Sequence, residues 1–158
     1  MKKAIFIFCA VFAVSLFAEE VKSTGNRNIE EQTRQRTKQT RFWYTPEQKK
    51  LVRECCNYWV IGVQKKTRGL QNRSIDPDDI VELGLARILI AEKMELPNFP
   101  DDAKLILSYQ MKSFIEMAKV VENEIKGGSV SRKDLSAKVR AFNESWDLFK
   151  ELYENVKN

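Results

Sequence analysis

The sequence of 158 residues contains no histidine, and it has only 6 glycines and 4 prolines. Histidine is the most frequent general base of enzymes and the most frequent metal ligand of proteins. Its absence excludes a Ser-His-Asp or Cys-His catalytic arrangement, haem attachment through CxxCH, and every zinc or di-iron motif that includes histidine. The scarcity of glycine and proline favours helices over turn-rich β structure.

Other functional motifs are also missing from the chain. Gly127-Gly128 lacks the surrounding pattern of a phosphate-binding loop. The acidic cluster at residues 76–79 lacks the central glycine and the distal glutamate of a calcium loop, so helix capping explains it better. A net charge of +5 is weak support for binding nucleic acid. We therefore predict no enzymatic activity, no cofactor, no metal site and no nucleic-acid partner.

The N-terminal residues have the pattern of a secretory signal peptide. Two lysines precede an apolar run at residues 4–18, which ends at Glu19. The run is shorter than the roughly 20 residues that span a bilayer as a helix. Cys9 lies inside the run and not at a lipoprotein cleavage site. We predict cleavage after Ala18 and a periplasmic or secreted bacterial protein, with a retained N-terminal anchor as the alternative.

Residues 19–45 form a polar, basic segment that we predict to be a flexible arm. It has almost no apolar residue before Phe42, and such a composition cannot bury enough surface to offset chain entropy. Its basic residues and the aromatic trio that follows them are candidate contacts for a partner, although the trio could also anchor the first helix to the core. These candidate residues are Arg34, Arg36, Lys38, Arg41, Phe42, Trp43 and Tyr44.

Residues 46–158 are predicted to form a helical bundle domain, and its first helix starts at Pro46. Thr45 supplies a hydroxyl cap, and Pro46 and Glu47 suit the first turn. We expect this helix to continue to about residue 66 and to be followed by a basic loop that contains glycine. Its apolar face comprises Val52, Cys55, Cys56, Trp59 and Val63, and the loop carries Lys65, Lys66, Arg68 and Arg73.

A second helix is predicted from the acidic cluster at residues 76–79 to about Met94. It is apolar almost all round, and a helix with that pattern is typically buried. We therefore expect it to be the most buried element of the domain. Its apolar residues are Ile80, Val81, Leu83, Leu85, Ile88, Leu89 and Ile90.

The last two helices are predicted to pair. Each carries apolar residues in alternating steps of four and three. Between the two helices, Gly127-Gly128 is predicted to end the first with a left-handed cap. An approximate capping box from Ser131 to Asp134 is predicted to begin the second. The apolar stripe of the third helix consists of Leu107, Met111, Phe114, Ala118, Val121 and Ile125. The apolar stripe of the fourth helix consists of Leu135, Val139, Phe142, Trp146, Phe149, Tyr153 and Val156. The sequence therefore predicts an all-α fold, roughly a four-helix bundle with a C-terminal antiparallel helical hairpin.

Cys55 and Cys56 are the two cysteines that remain after cleavage. Thiols in an oxidising compartment usually form disulfides, but adjacent residues of a regular helix point about 100° apart. Three interpretations stay open: buried thiols that pack as small hydrophobic side chains, a cross-link between two chains, or a strained redox or soft-metal site. Methionines that could complete a soft-metal site are Met94, Met111 and Met117.

The leading hypothesis is an exported, non-catalytic helical protein that acts through contacts with another protein of the cell envelope. Adaptors, assembly factors and inhibitors belong to this class. The alternative is a carrier of a small ligand or a soft metal, with its site in the bundle core near Cys55 and Cys56. Peripheral contact with an anionic surface and self-association into a homo-oligomer are further hypotheses.

We expect the protein recovered from the periplasm or the medium to begin at Glu19, because signal peptidases cleave after small residues such as Ala18. Intact-mass measurement of the native protein, with its thiols trapped on lysis, checks this position. A mass equal to that of the whole chain would show a retained anchor instead.

Overall fold

A computed structural model of the protein describes residues 42–157. This part of the chain contains four α-helices and no strand. The helices are α1 (Pro46–Gln71), α2 (Pro77–Met94), α3 (Asp101–Ile125) and α4 (Arg132–Val156). The all-α prediction is confirmed, and so is the C-terminal hairpin of α3 and α4. The predicted signal peptide and the flexible arm as far as Arg41 lie outside the described residues.

Helix α1 begins where the sequence predicted and ends later. The hydroxyl of Thr45 accepts a hydrogen bond from the backbone N–H of Gln48, whose side chain accepts one from the N–H of Thr45. The two bonds form a full capping box. The predicted end near residue 66 is wrong, because Lys66 and Leu70 are buried and continue the inner face of the helix.

Gly69, which was expected in a loop, allows α2 to start close to α1. A Cβ atom at this position would stand 2.6 Å from a carboxylate oxygen of Asp79 in the first turn of α2. Real Cβ atoms do not approach another atom so closely, so any larger residue would displace Asp79. Two ion pairs join the same helices farther along, Lys65 with Glu82 and Lys93 with Glu54.

Helix α2 is not the most buried element, contrary to the prediction. It packs mainly on α1, and the hairpin also packs on α1, so one side of α2 stays uncovered. The buried residues of α2 are Leu83, Ala86, Ile90 and Met94. Its exposed apolar residues, with 40 to 57% of their surface in water, are Ile80, Val81, Leu85, Ile88 and Leu89. The periodicity of apolar residues could not show which side of α2 is exposed, since a helix that is apolar all round has no polar side to mark its solvent face.

The link between α3 and α4 is a left-handed cap, as predicted. Gly127 has a φ of +83°, and the N–H of Gly128 donates to the carbonyl of Asn123 at 2.8 Å. This is a Schellman motif, which suits glycine because no Cβ opposes the positive φ. The predicted capping box at Ser131 is wrong, because its side chain makes no capping hydrogen bond in the described structure.

A cluster of polar side chains is buried within the hairpin. Gln110 and Ser113 of α3 meet Ser145 of α4, and all three residues are at most 4% exposed. The two serine oxygens lie 2.6 Å apart, and Ser145 donates to the amide oxygen of Gln110. Because buried polar groups need their partners, these bonds favour one register of the two helices.

Aromatic rings fill much of the core. Trp59 of α1 meets Phe114 of α3 edge to face, with ring centroids 5.7 Å apart, a favoured geometry for aromatic pairs. A row of rings continues along α4 through Phe142, Trp146, Phe149 and Tyr153. Trp59 is fully buried, as predicted, whereas Trp146 is only partly buried against the core.

Among the described helices, none combines the length and the apolar character that crossing a membrane requires.

Replacing Ser145 by alanine should lower the free energy of unfolding by about 1–3 kcal/mol, because the amide oxygen of Gln110 then loses a buried hydrogen bond. Urea denaturation of the purified protein measures this change. Ser136→Ala is the matched control, since Ser136 is exposed on the same helix and the gain in helix propensity is the same. Equal stability of the two variants would contradict the structural role of the cluster.

Candidate functional site

The chain enters the described unit through three consecutive aromatic residues that have different surroundings. Phe42 and Tyr44 are partly buried and pack against the core, with ring centroids 5.8 Å apart. Trp43, between them, is 84% exposed, the highest value for a large apolar side chain in residues 42–157. The flanking rings thus anchor the backbone while the indole of Trp43 stays in water.

The buried hydroxyl of Tyr44 lies near Asp102 in the first turn of α3 and has no hydrogen-bond partner in the described structure. Burial raises the pKa of Tyr44 above its ordinary value, and the neighbouring carboxylate of Asp102 raises this pKa further. The phenol therefore stays protonated and uncharged at physiological pH. An uncharged ring suits an anchor, because no charge has to be desolvated when it packs against the core.

The four basic candidate residues lie outside the described residues. Their role in binding stays a prediction from the sequence. In the sequence they precede Phe42 closely, and residues 32–41 contain no acidic residue. The candidate residues of this group are Arg34, Arg36, Lys38 and Arg41.

Cys55 and Cys56 lie in the middle of α1 as free thiols, and both are fully buried. Burial raises the pKa of Cys55 to about 11 and also raises the pKa of Cys56 above that of an ordinary thiol. Both groups are therefore protonated at neutral pH, whereas nucleophilic attack and metal binding require the thiolate. This geometry suits thiols that pack as small hydrophobic side chains.

The soft-metal and cross-linking hypotheses stay predictions. Met94 and Met117 belong to the same buried cluster as the two thiols, and Met111 packs against that cluster. Within residues 42–157, no three side chains of histidine, cysteine, aspartate or glutamate come together as a group that could hold a metal ion.

A buried ion pair was missed by sequence reasoning. The ammonium of Lys66 is almost fully buried and lies 2.5 Å from Oε1 of Glu122 on α3, without the alignment of a hydrogen bond. The sequence analysis had placed Lys66 in a basic loop. No local signal pairs two residues so far apart in the sequence. The pair joins the C-terminal ends of α1 and α3 and has a structural role.

The exposed side of α2 was also missed. We call Ile80, Val81, Leu85, Ile88 and Leu89 the outer face of α2. The sequence did contain a signal for this exposed side, namely the apolar residues on all sides of α2. Such a helix must either be surrounded by its own protein or offer one side to another molecule.

The pKa shift of the thiols predicts loss of stability in alkali. The folded-state pKa of Cys55, about 11, exceeds its ordinary value of 9.0. The unfolded chain therefore releases the proton first, and the stabilisation that is complete below pH 9 declines as the pH rises towards 11. Denaturation between pH 7 and 11 should show a smaller decline for Cys55→Val than for the wild type. Identical pH profiles would contradict burial of this thiol.

Comparison of the chain with protein-family models, with curated proteins and with solved structures found no match.

Proposed function

We propose that the mature chain is an exported, non-catalytic protein of a bacterial cell envelope that acts through contacts with another protein, as an adaptor, an assembly factor or an inhibitor. The observation that carries the proposal is Trp43, whose side chain is 84% exposed while both of its neighbours pack against the core. The signal-peptide pattern of residues 1–18 supports export to the periplasm or the medium.

The exposure of Trp43 has a cost that a partner would remove. Burial of a large apolar side chain is worth about 1.5–3 kcal/mol, and Trp43 gains almost none of this in the described structure. Tryptophan is also among the residues that most often dominate the binding energy of interfaces. Because Phe42 and Tyr44 hold the backbone on both sides, little conformational entropy is lost when a partner encloses the indole.

The charge next to Trp43 indicates what the partner offers. Residues 32–41 carry four basic side chains and no acidic one. A complementary partner has an apolar pocket for the indole and an acidic rim around it. Screening by salt should weaken such a contact, since the charges of its rim face water. An anionic lipid surface also meets the charge requirement, and the test below separates it from a protein.

Replacing Trp43 by alanine should remove a co-purifying polypeptide, because the anchor of the interface is lost. Deleting residues 19–41 should do the same through the loss of positive charge. Native mass spectrometry of the tagged protein isolated from its own cell envelope measures this. Leu105→Ala is the matched control, since Leu105 is 59% exposed on α3 and lies far along the chain from the basic segment.

Circular dichroism should show unchanged helicity and melting for all three variants. A polypeptide retained at full stoichiometry by Trp43→Ala and by the deletion variant would contradict the proposal. Flotation with vesicles of anionic phospholipid is the second measurement. Vesicle binding that depends on Trp43, without any protein partner, would show that the contact is with a membrane surface.

A further inference from the structure

Cys55 and Cys56 lie well inside the helix on which the other three helices pack. Helix α1 runs from Pro46 to Gln71, and α2, α3 and α4 each contact it. Both thiols are free, and neither has any surface in water. A change of the backbone between the two cysteines would therefore disturb the helix that all three neighbours need.

The two thiols point into different parts of the core. Successive residues of an α-helix are turned by about 100°, so Gly62 lies on almost the same side of α1 as Cys55. A Cβ atom at Gly62 would stand 3.3 Å from a leucine side chain of α2. Cys56 lies between the directions of Trp59 and Asn57. Trp59 meets a phenylalanine ring of α3, and Asn57 accepts a hydrogen bond from a tyrosine of α4.

A disulfide between these neighbours is incompatible with a regular helix. Consecutive Cα atoms are about 3.8 Å apart across a trans peptide, whereas the Cα atoms of a disulfide are usually about 4.4–6.8 Å apart. The turn of about 100° between the side chains also directs the two sulfur atoms away from each other. A ring that joins Cys55 to Cys56 therefore needs a different backbone at this peptide, and α1 cannot provide it while it remains a helix.

We propose that the described unit is a redox switch, in which a Cys55–Cys56 disulfide and the helical bundle exclude each other. The oxidant is a low-molecular-weight disulfide or a protein disulfide. One thiolate attacks this disulfide and releases a first thiol, and the second cysteine then attacks the mixed disulfide and releases another. In total, the chain loses two hydrogen atoms and gains one S–S bond, while the oxidant gains both hydrogen atoms and becomes two thiols.

Mutual exclusion couples the redox equilibrium of the two thiols to the folding equilibrium. Only the open chain accommodates the ring, so folding lowers the equilibrium constant for oxidation by the factor by which it favours the native state. A strained disulfide is also reduced more easily than an ordinary one. Both effects favour the dithiol, so a thiol reductant returns an oxidised chain to the bundle.

The same switch acts on the surroundings of Trp43. Phe42 and Tyr44 pack against the core cluster that contains both thiols. Opening of α1 therefore removes the support on both sides of the exposed indole. The redox switch does not depend on the proposed function, because it concerns the fold and requires no partner.

Oxidation of the unfolded chain tests the redox switch. A Cys9→Ser background leaves Cys55 and Cys56 as the only cysteines. The purified protein is unfolded in urea, incubated with oxidised glutathione, and then freed of both. Intact mass should show the loss of two hydrogen atoms without a glutathione adduct. Circular dichroism should then show reduced helicity and no cooperative thermal transition, and dithiothreitol should restore the native spectrum.

The double variant Cys55→Val with Cys56→Ala is the matched control, and the same treatment should leave its spectrum unchanged. If this variant does not fold, recovery of the oxidised protein in dithiothreitol serves as the control. With both cysteines present, the equilibrium constant for exchange with oxidised glutathione should be at least about 100-fold smaller in buffer than in urea.

Three results would each overturn the redox switch. They are a ring-oxidised chain that regains the native spectrum and melting, oxidation that yields glutathione adducts alone, and equal exchange constants in buffer and in urea. No binding partner takes part in these measurements. Failure of the proposed function and failure of this inference are therefore distinguishable.

Discussion

Burial of one face of α1 is the constraint on which the rest of the described unit depends. The other three helices all pack on this helix, and its inner face holds side chains of very different size, from Gly62 to Trp59. Small residues allow α2 to approach, while Trp59 reaches Phe114 in the hairpin. Helix α1 thus contacts both α2 and the hairpin. Because of this arrangement, α2 is covered by another helix on one side only.

Local signals in the sequence predicted the fold well. The start of α1 and the glycine stop after α3 each depend on residues within one turn, so they could be located from a few letters of sequence. The end of α1 could not be located from local sequence in this way. Lys66 is buried in the continuing helix beside Glu122 of α3, and no pattern within α1 predicts that contact.

The candidate site was only partly predictable, for a related reason. The sequence offered the aromatic trio either as a partner contact or as an anchor of the first helix, and within this trio Trp43 is exposed. The outer face of α2 was taken for core because its residues are apolar, whereas burial is decided by which neighbours are present. Composition determines that Leu85 and Ile88 favour an apolar environment. It does not determine whether the same chain or another molecule provides that environment.

The adjacent thiols of α1 have a consequence for the order in which the chain folds and oxidises. An unfolded chain exposes Cys55 and Cys56 together, and neighbouring thiols can be oxidised before a helix forms around them. The folded unit withdraws both from solvent. Folding and oxidation therefore compete in time. In an oxidising solution, a chain that closes α1 first would keep its two sulfur atoms reduced, because burial protects them.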